Sequence, residues 1–242
     1  MKVFNRFDSK AQIYDKSRPN YPISAVKLLG LEPGMIAADI GAGTGKLTEM
    51  LLDTGCRVAA IEPNADMRGV LSDKLFERPL LTITDATAEM TNLPDHSVDV
   101  ITVAQAFHWF DHKACQAEFA RILKPSGRVA LMWNNRNYER EFMRKHIDLM
   151  KEHRTNSVVS LQDEQEVFRR FFQNYEIREF EYAQRLEKDV FIDLTFSRSY
   201  SPKLGDSEYE PLKLSAERLF EEYQKDGYVE YFYKTEVVLG TF

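Results

Sequence analysis

The sequence predicts an α/β fold: a mostly parallel sheet with helices on both faces. Three observations lead there. Between residues 35 and 133, short apolar runs alternate with stretches of helical periodicity, the pattern of repeated β–α units. The runs are bounded by glycine, proline, asparagine and aspartate, the residues that punctuate strands and helices. One run, residues 35–40, turns through Gly41, Gly43 and Gly45 directly into a helix carrying Leu47, Met50 and Leu51. At 242 residues the chain suits one α/β domain with a full core.

A polar, aromatic-dotted arm comes first, residues 4–22, holding Y-D-K-S-R-P-N-Y-P with Tyr14, Arg18, Pro19, Tyr21 and Pro22. A helix over 23–29 stops at Gly30, and Glu32-Pro33-Gly34 turns into the first strand. The helix after the glycine turn spans 46–54 and ends at Gly55. A second strand, 57–61, runs into Glu62-Pro63-Asn64, with Asn64 the N-cap of a helix reaching Phe76. A third strand, 80–84, ends at Asp85, and a fourth covers 98–104. A helix over 111–123 is closed by Lys124-Pro125-Ser126-Gly127, and a fifth strand covers 128–133. Strict β–α alternation makes these strands parallel. Beyond Asn134 the pattern predicts helices over 139–153 and 162–172 and a sixth strand over 175–186. Residues 188–227 read as mostly helical, broken near Ser201-Pro202 and Gly205, and 228–242 as a terminal strand.

Hydrophobic and charged fractions of 43% and 29% are those of an ordinary water-soluble globular chain. A net charge of −6 supplies no global basic field, so no nucleic-acid partner is expected. The amino terminus has no apolar leader and no stretch approaches a membrane span, so no membrane partner is expected. Cys56 and Cys115 form no disulfide framework and fit a reducing cytoplasm. A monomer or homodimer is expected.

A strand that turns through glycines into a helix brings bare backbone beside a ligand. The dinucleotide fingerprint G-x-G-x-x-G needs glycine at 46, where Lys46 stands. The phosphate loop needs glycine at 40 and Ser or Thr at 47, where Ile40 and Leu47 stand. What remains is D-x-G-x-G-x-G. Asp39 before the turn suits a ligand with a cationic group rather than a pyrophosphate. Ligands of parallel sheets bind beyond the carboxyl ends of the strands. Asp39, Glu62 and Asp85 fall at the ends of three consecutive strands. One elongated ligand with an ammonium, a ribose diol and an exocyclic amine satisfies that row, and S-adenosylmethionine has all three without a phosphate.

The sequence resembles the class I S-adenosylmethionine-dependent methyltransferases of type 11. D-I-G-A-G-T-G matches their first motif, Ala-Ile-Glu-Pro-Asn-Ala-Asp-Met their second-strand acid, Asp85-Ala86 the adenine position, and F-A-R-I-L-K-P-S-G-R the approach to the fifth strand. The arm and A-Q-A-F-H-W-F at 104–110 are similar to a subgroup acting on small molecules, typified by trans-aconitate methyltransferase-like enzymes. The resemblance implies a Rossmann-like seven-stranded sheet of order 3-2-1-4-5-7-6, its last strand antiparallel. It implies one domain: arm and helix 1–30, cofactor-binding core 31–134, substrate cover with the sixth strand 135–227, and terminal strand 228–242. It also implies that Gly41, Gly43 and Gly45 approach the methionine portion and that Glu62 takes the ribose hydroxyls beside Pro63 and Met67. Asp85 and the Ala86 backbone would meet the adenine, and Ala104 and Gln105 would border the methyl donor. Tyr14 and Arg18 would reach the cofactor from the arm, Arg18 pairing with its carboxylate.

Methyl transfer is an in-line displacement at carbon, and positioning alone contributes roughly 7–11 kcal/mol. A general base adds about 10²–10⁴-fold for a weakly acidic hydroxyl acceptor. His108 is the candidate, with loop ordering or packing beneath Trp109 as its alternative role. His108 and His112 lack the acid and third ligand of a zinc site, so no metal is expected. A small-molecule acceptor, a carboxylate or hydroxyl, would be enclosed by Phe107, Trp109, Phe110, Trp133 and aromatics from 191 to 209, with Arg136 and Arg198 to hold an acid. The alternatives are a methyltransferase acting on RNA or protein, or a non-catalytic cofactor-binding module. Against the first, Ala104-Gln105-Ala106-Phe107 stands where amine methylation often uses D/N-P-P-Y.

Overall fold

The structure, a computed structural model, describes residues 18–153, 164–197 and 201–242. Seven strands form one sheet: β1 Ile36–Ile40, β2 Arg57–Ile61, β3 Leu81–Thr84, β4 Val98–Ala104, β5 Leu123–Arg136, β6 Asn174–Leu186 and β7 Val229–Thr241. Among the described residues the α-helices are α1 Ile23–Leu28, α2 Lys46–Leu52, α3 Ala65–Leu75, α4 His112–Ile122, α5 Glu141–Glu152, α6 Glu164–Phe171, α7 Lys188–Phe196 and α8 Tyr209–Tyr223. A 3-10 turn, Phe107–Trp109, follows β4. The sheet order is β3-β2-β1-β4-β5-β7-β6, as the family resemblance implied. β7 pairs antiparallel with both β5 and β6, so it alone runs against the other strands.

The short inner strands are apolar on both faces because helices cover both. Ala37, Val58 and Ala60 face Leu47, Leu51 and Leu52 of α2 and Leu71 and Leu75 of α3. Ala38, Ile40 and Ile61 face Cys115, Phe119 and Ile122 of α4, with Phe168 and Phe171 of α6 behind. A third core joins α5, α7 and α8 to the far ends of β6 and β7 through Phe142, Phe191, Leu194, Phe220 and Tyr231. Local signals set the helix starts. Asn64 caps α3, its Oδ1 accepting the Met67 N–H at 2.8 Å, as the sequence predicted. Asp111 caps α4, accepting from the N–H groups of Lys113 and Ala114.

The fifth strand departs from expectation at both ends. It begins at Leu123, which pairs with Val98, and after a bulge Arg128 resumes opposite Val100. The Lys124-Pro125-Ser126-Gly127 stretch is therefore a bulged strand rather than a free loop, pinned by the Lys124 Nζ 2.8 Å from both Asp99 carboxylate oxygens. At the other end β5 runs on to Arg136 because β7 pairs with it as far as Arg136 opposite Tyr233. Among the described residues no helix is long and apolar enough to cross a membrane.

β7 passes so close to Phe172 that a Cβ at Gly240 would overlap the Phe172 ring, which is itself buried against Phe171, Tyr175 and Phe242. Gly240→Ala is expected to destabilise the protein by about 1–3 kcal/mol through overpacking. Urea unfolding should show a lower midpoint at an unchanged slope.

Candidate functional site

The turn between β1 and α2 builds the site. Gly41, Gly43 and Gly45 all have positive φ, of 70°, 59° and 82°. The N–H groups of Gly41 and Ala42 donate to the Ile61 carbonyl at 2.8 and 3.1 Å, strapping the turn to the end of β2. On its other side the turn touches the segment after β4, where a Cβ at Gly41 would lie 2.7 Å from that of Ala106. A Cβ at Gly43 would meet nothing within 4 Å, so the backbone there borders open space. That space is a cleft lined by Arg18, Pro19 and Tyr21 of the arm, residues 41–44, Lys46, Ala104, Gln105, Asn134 and Tyr233.

Gln105, the first residue past β4, has φ 59°, a conformation that residues with a Cβ rarely adopt. Its N–H donates to the Met132 carbonyl at 2.9 Å, which holds it there. Such locally strained backbone concentrates at functional sites.

The three strand-end acids occupy different environments. Asp39 lines the cleft but is buried, and both its oxygens accept from hydroxyls: Oδ2 from Thr48 at 2.6 Å and Oδ1 from Thr102 at 2.9 Å. Asp39, which the sequence reading set beside a ligand with a cationic group, thus stands in the cleft wall with both oxygens already held by hydroxyls. Burial pushes the Asp39 carboxyl up to about 6, against the two hydroxyls, which lower it. Glu62 is also buried, and burial raises its carboxyl as well. Its Oε2 accepts the Gly43 N–H and its Oε1 the Asn64 N–H, both at 2.8 Å, so it stands directly against the open edge of the turn. Asp85, with a side chain 68% exposed, sits on the rim and pairs with Arg68 at 2.8 Å. Arg68 also donates to the Glu62 carbonyl at 2.8 Å and so ties the ends of β2 and β3 together.

Arg18, Asp39, Gly41, Gly43, Ala104 and Gln105 thus meet in one cleft, with Glu62 joined to it through Gly43. Pro63 and Asp85 lie further along the crest. The side chains of Met67 and Ala86 are buried, so the backbone of Ala86 is what it can offer a ligand. Gly45 caps α2 behind the turn. Tyr14 and Arg198 lie outside the described residues.

On the acceptor side the structure corrects three expectations. Phe107 is 3% exposed, stacked on His112 at 4.3 Å and edge-on to Phe171 at 4.8 Å, so it belongs to the core and not to a pocket wall. Trp133 turns to the α6 face and packs on Phe168, away from Asn134 and Arg136. Phe191 is fully buried in the core of the cover. Phe110 backs Gly41, while Trp109 is 38% exposed and packs on His108. His108 stands outside the cleft lining, and partial burial of its ring lowers its pKa from the ordinary value. The partners of Asp39, and Asn134 and Tyr233 at the cleft, are not apparent from the motifs. Thr48 follows the turn by half a helical turn, but Thr102 and Tyr233 arrive only through strand pairing.

The residues present fit S-adenosylmethionine. A buried carboxylate lies behind the cleft for the cationic end, a guanidinium from Arg18 for the carboxylate, Glu62 for the ribose diol, and backbone with open space at Gly43 to lie against. Comparison with known proteins agrees. A family model described as a methyltransferase domain matches residues 38–131. An uncharacterized methyltransferase of Mycobacterium tuberculosis is 34% identical over 196 residues, covering 80% of this chain and 76% of its own. An uncharacterized methyltransferase-like protein of Schizosaccharomyces pombe is 32% identical over 136 residues, 54% of this chain and 52% of its own. Among solved structures, a candidate type II methyltransferase from Anaeromyxobacter dehalogenans superposes with a TM-score of 0.72 at 22% identity, over 93% of this chain and 97% of that one. Phosphoethanolamine N-methyltransferase 2 of Haemonchus contortus, solved with phosphomonomethylethanolamine and S-adenosylhomocysteine, superposes with a TM-score of 0.59 at 14% identity, over 100% of this chain and 60% of that one. From the shared sequence, the seven-stranded topology and the cleft, the chain belongs to the class I S-adenosylmethionine-dependent methyltransferases.

Proposed function

We propose that the chain methylates an oxygen of a small-molecule acceptor, a carboxylate or a hydroxyl. The observation that carries this reading is the form of the cleft. The arm residues Arg18, Pro19 and Tyr21 line it together with Asn134 and Tyr233 of the sheet, and the Asn134 amide donates to the Asn20 carbonyl of the arm at 3.1 Å, an enclosure that suits a compact acceptor. When bound, the cofactor supplies an electrophilic methyl group on a sulfonium, displaced in line so that the sulfur departs neutral. The chain's own residues orient and enclose. Glu62 and the Gly43 backbone fix the nucleoside, Arg18 the carboxylate, and the strained Gln105 forms the edge nearest the reacting carbon. No side chain needs to accept a proton when the acceptor is already a carboxylate. The two cysteines, both buried free thiols, support a reducing cytoplasm as the compartment.

Glu62→Ala is expected to weaken S-adenosylmethionine binding by roughly ten- to a hundredfold, the worth of hydrogen bonds to a buried carboxylate. Calorimetric affinity compared with urea stability separates this from unfolding, and unchanged affinity removes Glu62 from the ribose site.

Affinity for the cofactor should also depend on pH through Asp39. Its folded pKa of about 6 lies above the ordinary 3.8, so below pH 6 the carboxyl is neutral and its attraction for a cation is lost. Binding is expected to tighten by about tenfold from pH 5 to pH 7, with Asp39→Asn flattening the rise.

His108 stands outside the cleft lining, so His108→Ala is expected to leave kcat within about twofold and the pH–rate profile unaltered. A loss approaching 10²-fold with a displaced acidic limb would make it the general base.

A further inference from the structure

β5 grips the stretch from the arm to the end of α1 at two points. Along the strand, side chains alternate between the faces of the sheet. Ala130 and Met132 point into the core that holds Tyr21 and α1, while Val129 and Leu131 point to the opposite core. Asn134 is the next residue of the Ala130–Met132 row and lines the cleft. There its Nδ2 donates to the Asn20 carbonyl of the arm at 3.1 Å. Nearer the start of β5, Arg128 Nη2 donates to the Leu29 carbonyl, just past α1, at 3.0 Å.

The orientation of the Asn134 amide is dictated by its two partners. A backbone carbonyl can only accept, so the amide nitrogen must face Asn20 and Oδ1 must face the other way. Opposite Asn134 on β7 stands Thr235, and directly opposite residues of an antiparallel pair share a face. The Thr235 hydroxyl donates to Asn134 Oδ1 at 2.6 Å. Thr235 is buried and is not part of the cleft lining, so its hydroxyl reaches the site only through Asn134.

Asn20 is where such a bond has most leverage. From Tyr21 onward the chain is fixed: Tyr21 is buried beside Ala25 and Val26, and the Pro22 carbonyl accepts the Ala25 N–H at 3.0 Å. Arg18 and Pro19, which line the cleft, lie on the other side of Asn20. The bond from Asn134 therefore falls at the junction between the anchored chain and the residues that cover the cleft.

We propose that Asn134 latches the arm over the bound cofactor and that Thr235 is a positioning residue for methyl transfer, setting the latch by orienting the Asn134 amide. The inference deepens the reading above, in which Arg18 meets the cofactor carboxylate. A segment closed over a ligand keeps water out and delays release. Breaking the latch frees Arg18 and Pro19 to swing about Tyr21, so the cofactor escapes sooner.

The test uses the full chain loaded with isotopically labelled S-adenosylhomocysteine and chased with the unlabelled compound. Thr235→Val keeps the shape and removes the hydroxyl, and it is expected to speed release roughly three- to tenfold, the worth of one hydrogen bond. Thr235→Ser should restore the wild-type rate. Asn134→Ala should speed release at least as much, and adding Thr235→Val to it should change nothing further, because the hydroxyl acts through the amide. Hydrogen exchange across residues 18–22 in the loaded protein should rise in Thr235→Val and return to the wild-type level in Thr235→Ser. Wild-type release from Thr235→Val, even with a lowered urea midpoint, would overturn the latch and leave Thr235 structural. An equal acceleration by Thr235→Val with Asn134 already removed, or faster release with unchanged exchange in the arm, would overturn it too. Weakened binding by Arg18→Met beside a release rate indifferent to Thr235 would overturn the latch and leave the Arg18 contact standing. Failure of the unaltered chain to bind S-adenosylhomocysteine would overturn both.

Discussion

A buried carboxylate at the end of the first strand holds the cleft together. Asp39 on β1 accepts from Thr48 on α2 and from Thr102 on β4, so three elements that meet at the glycine turn share one acceptor. An ionised carboxylate in such a setting is only partly compensated by two hydroxyls, and its raised pKa expresses the shortfall. The retained charge makes sense for a cleft whose ligand is positively charged, because a field in a low-dielectric wall acts at a distance without a direct contact.

The same economy governs Glu62. Its two oxygens are held by the N–H groups of Gly43 and Asn64, which orient the carboxylate and at the same time shape the turn it faces. Arg68 extends the scheme to the next strand, binding the Glu62 carbonyl with one nitrogen and Asp85 with another. Glu62 and Asp85 are therefore linked through a backbone carbonyl and a guanidinium.

The cofactor half was legible in the sequence because its geometry is local. Glycines 41, 43 and 45, the strand-end acids and the Asn64 cap all act within a β–α unit or between adjacent parallel strands, where residue order and spatial order coincide. Element ends shifted by only a residue or two, except in β5, where the bulge before Arg128 and the extension to Arg136 both come from pairing partners. The acceptor half was misread for a related reason. Phe107 lies just past β4 and Trp133 near the end of β5, which suits a pocket wall, yet α6 comes back to cover them, burying Phe107 in the core and packing Trp133 against it. Neither α6's docking nor the pairing of Tyr233 with Arg136 leaves a mark in local periodicity.

That difference follows from how the sheet is closed. A parallel strand enters from the side opposite the ligand and reaches the crest only at its end, so its functional residues sit at or just past its last position. β7 enters from the ligand side. Its first residues, from Val229, pair with the last residues of β6 and β5 above the crest, and this lets β5 continue to Arg136 instead of stopping at the level of Ala104. The outer edge, β6, carries Glu176, Arg178, Glu179, Glu181 and Arg185, charges that discourage another strand from adding to it. Reversing one strand thus raises a wall of sheet beside the cofactor cleft, and the chain between β6 and β7 hangs from its top as the cover. Side chains on that wall are placed by a continuous hydrogen-bonded ladder rather than by loops, so they share one rigid body with the glycine turn and the strand-end acids.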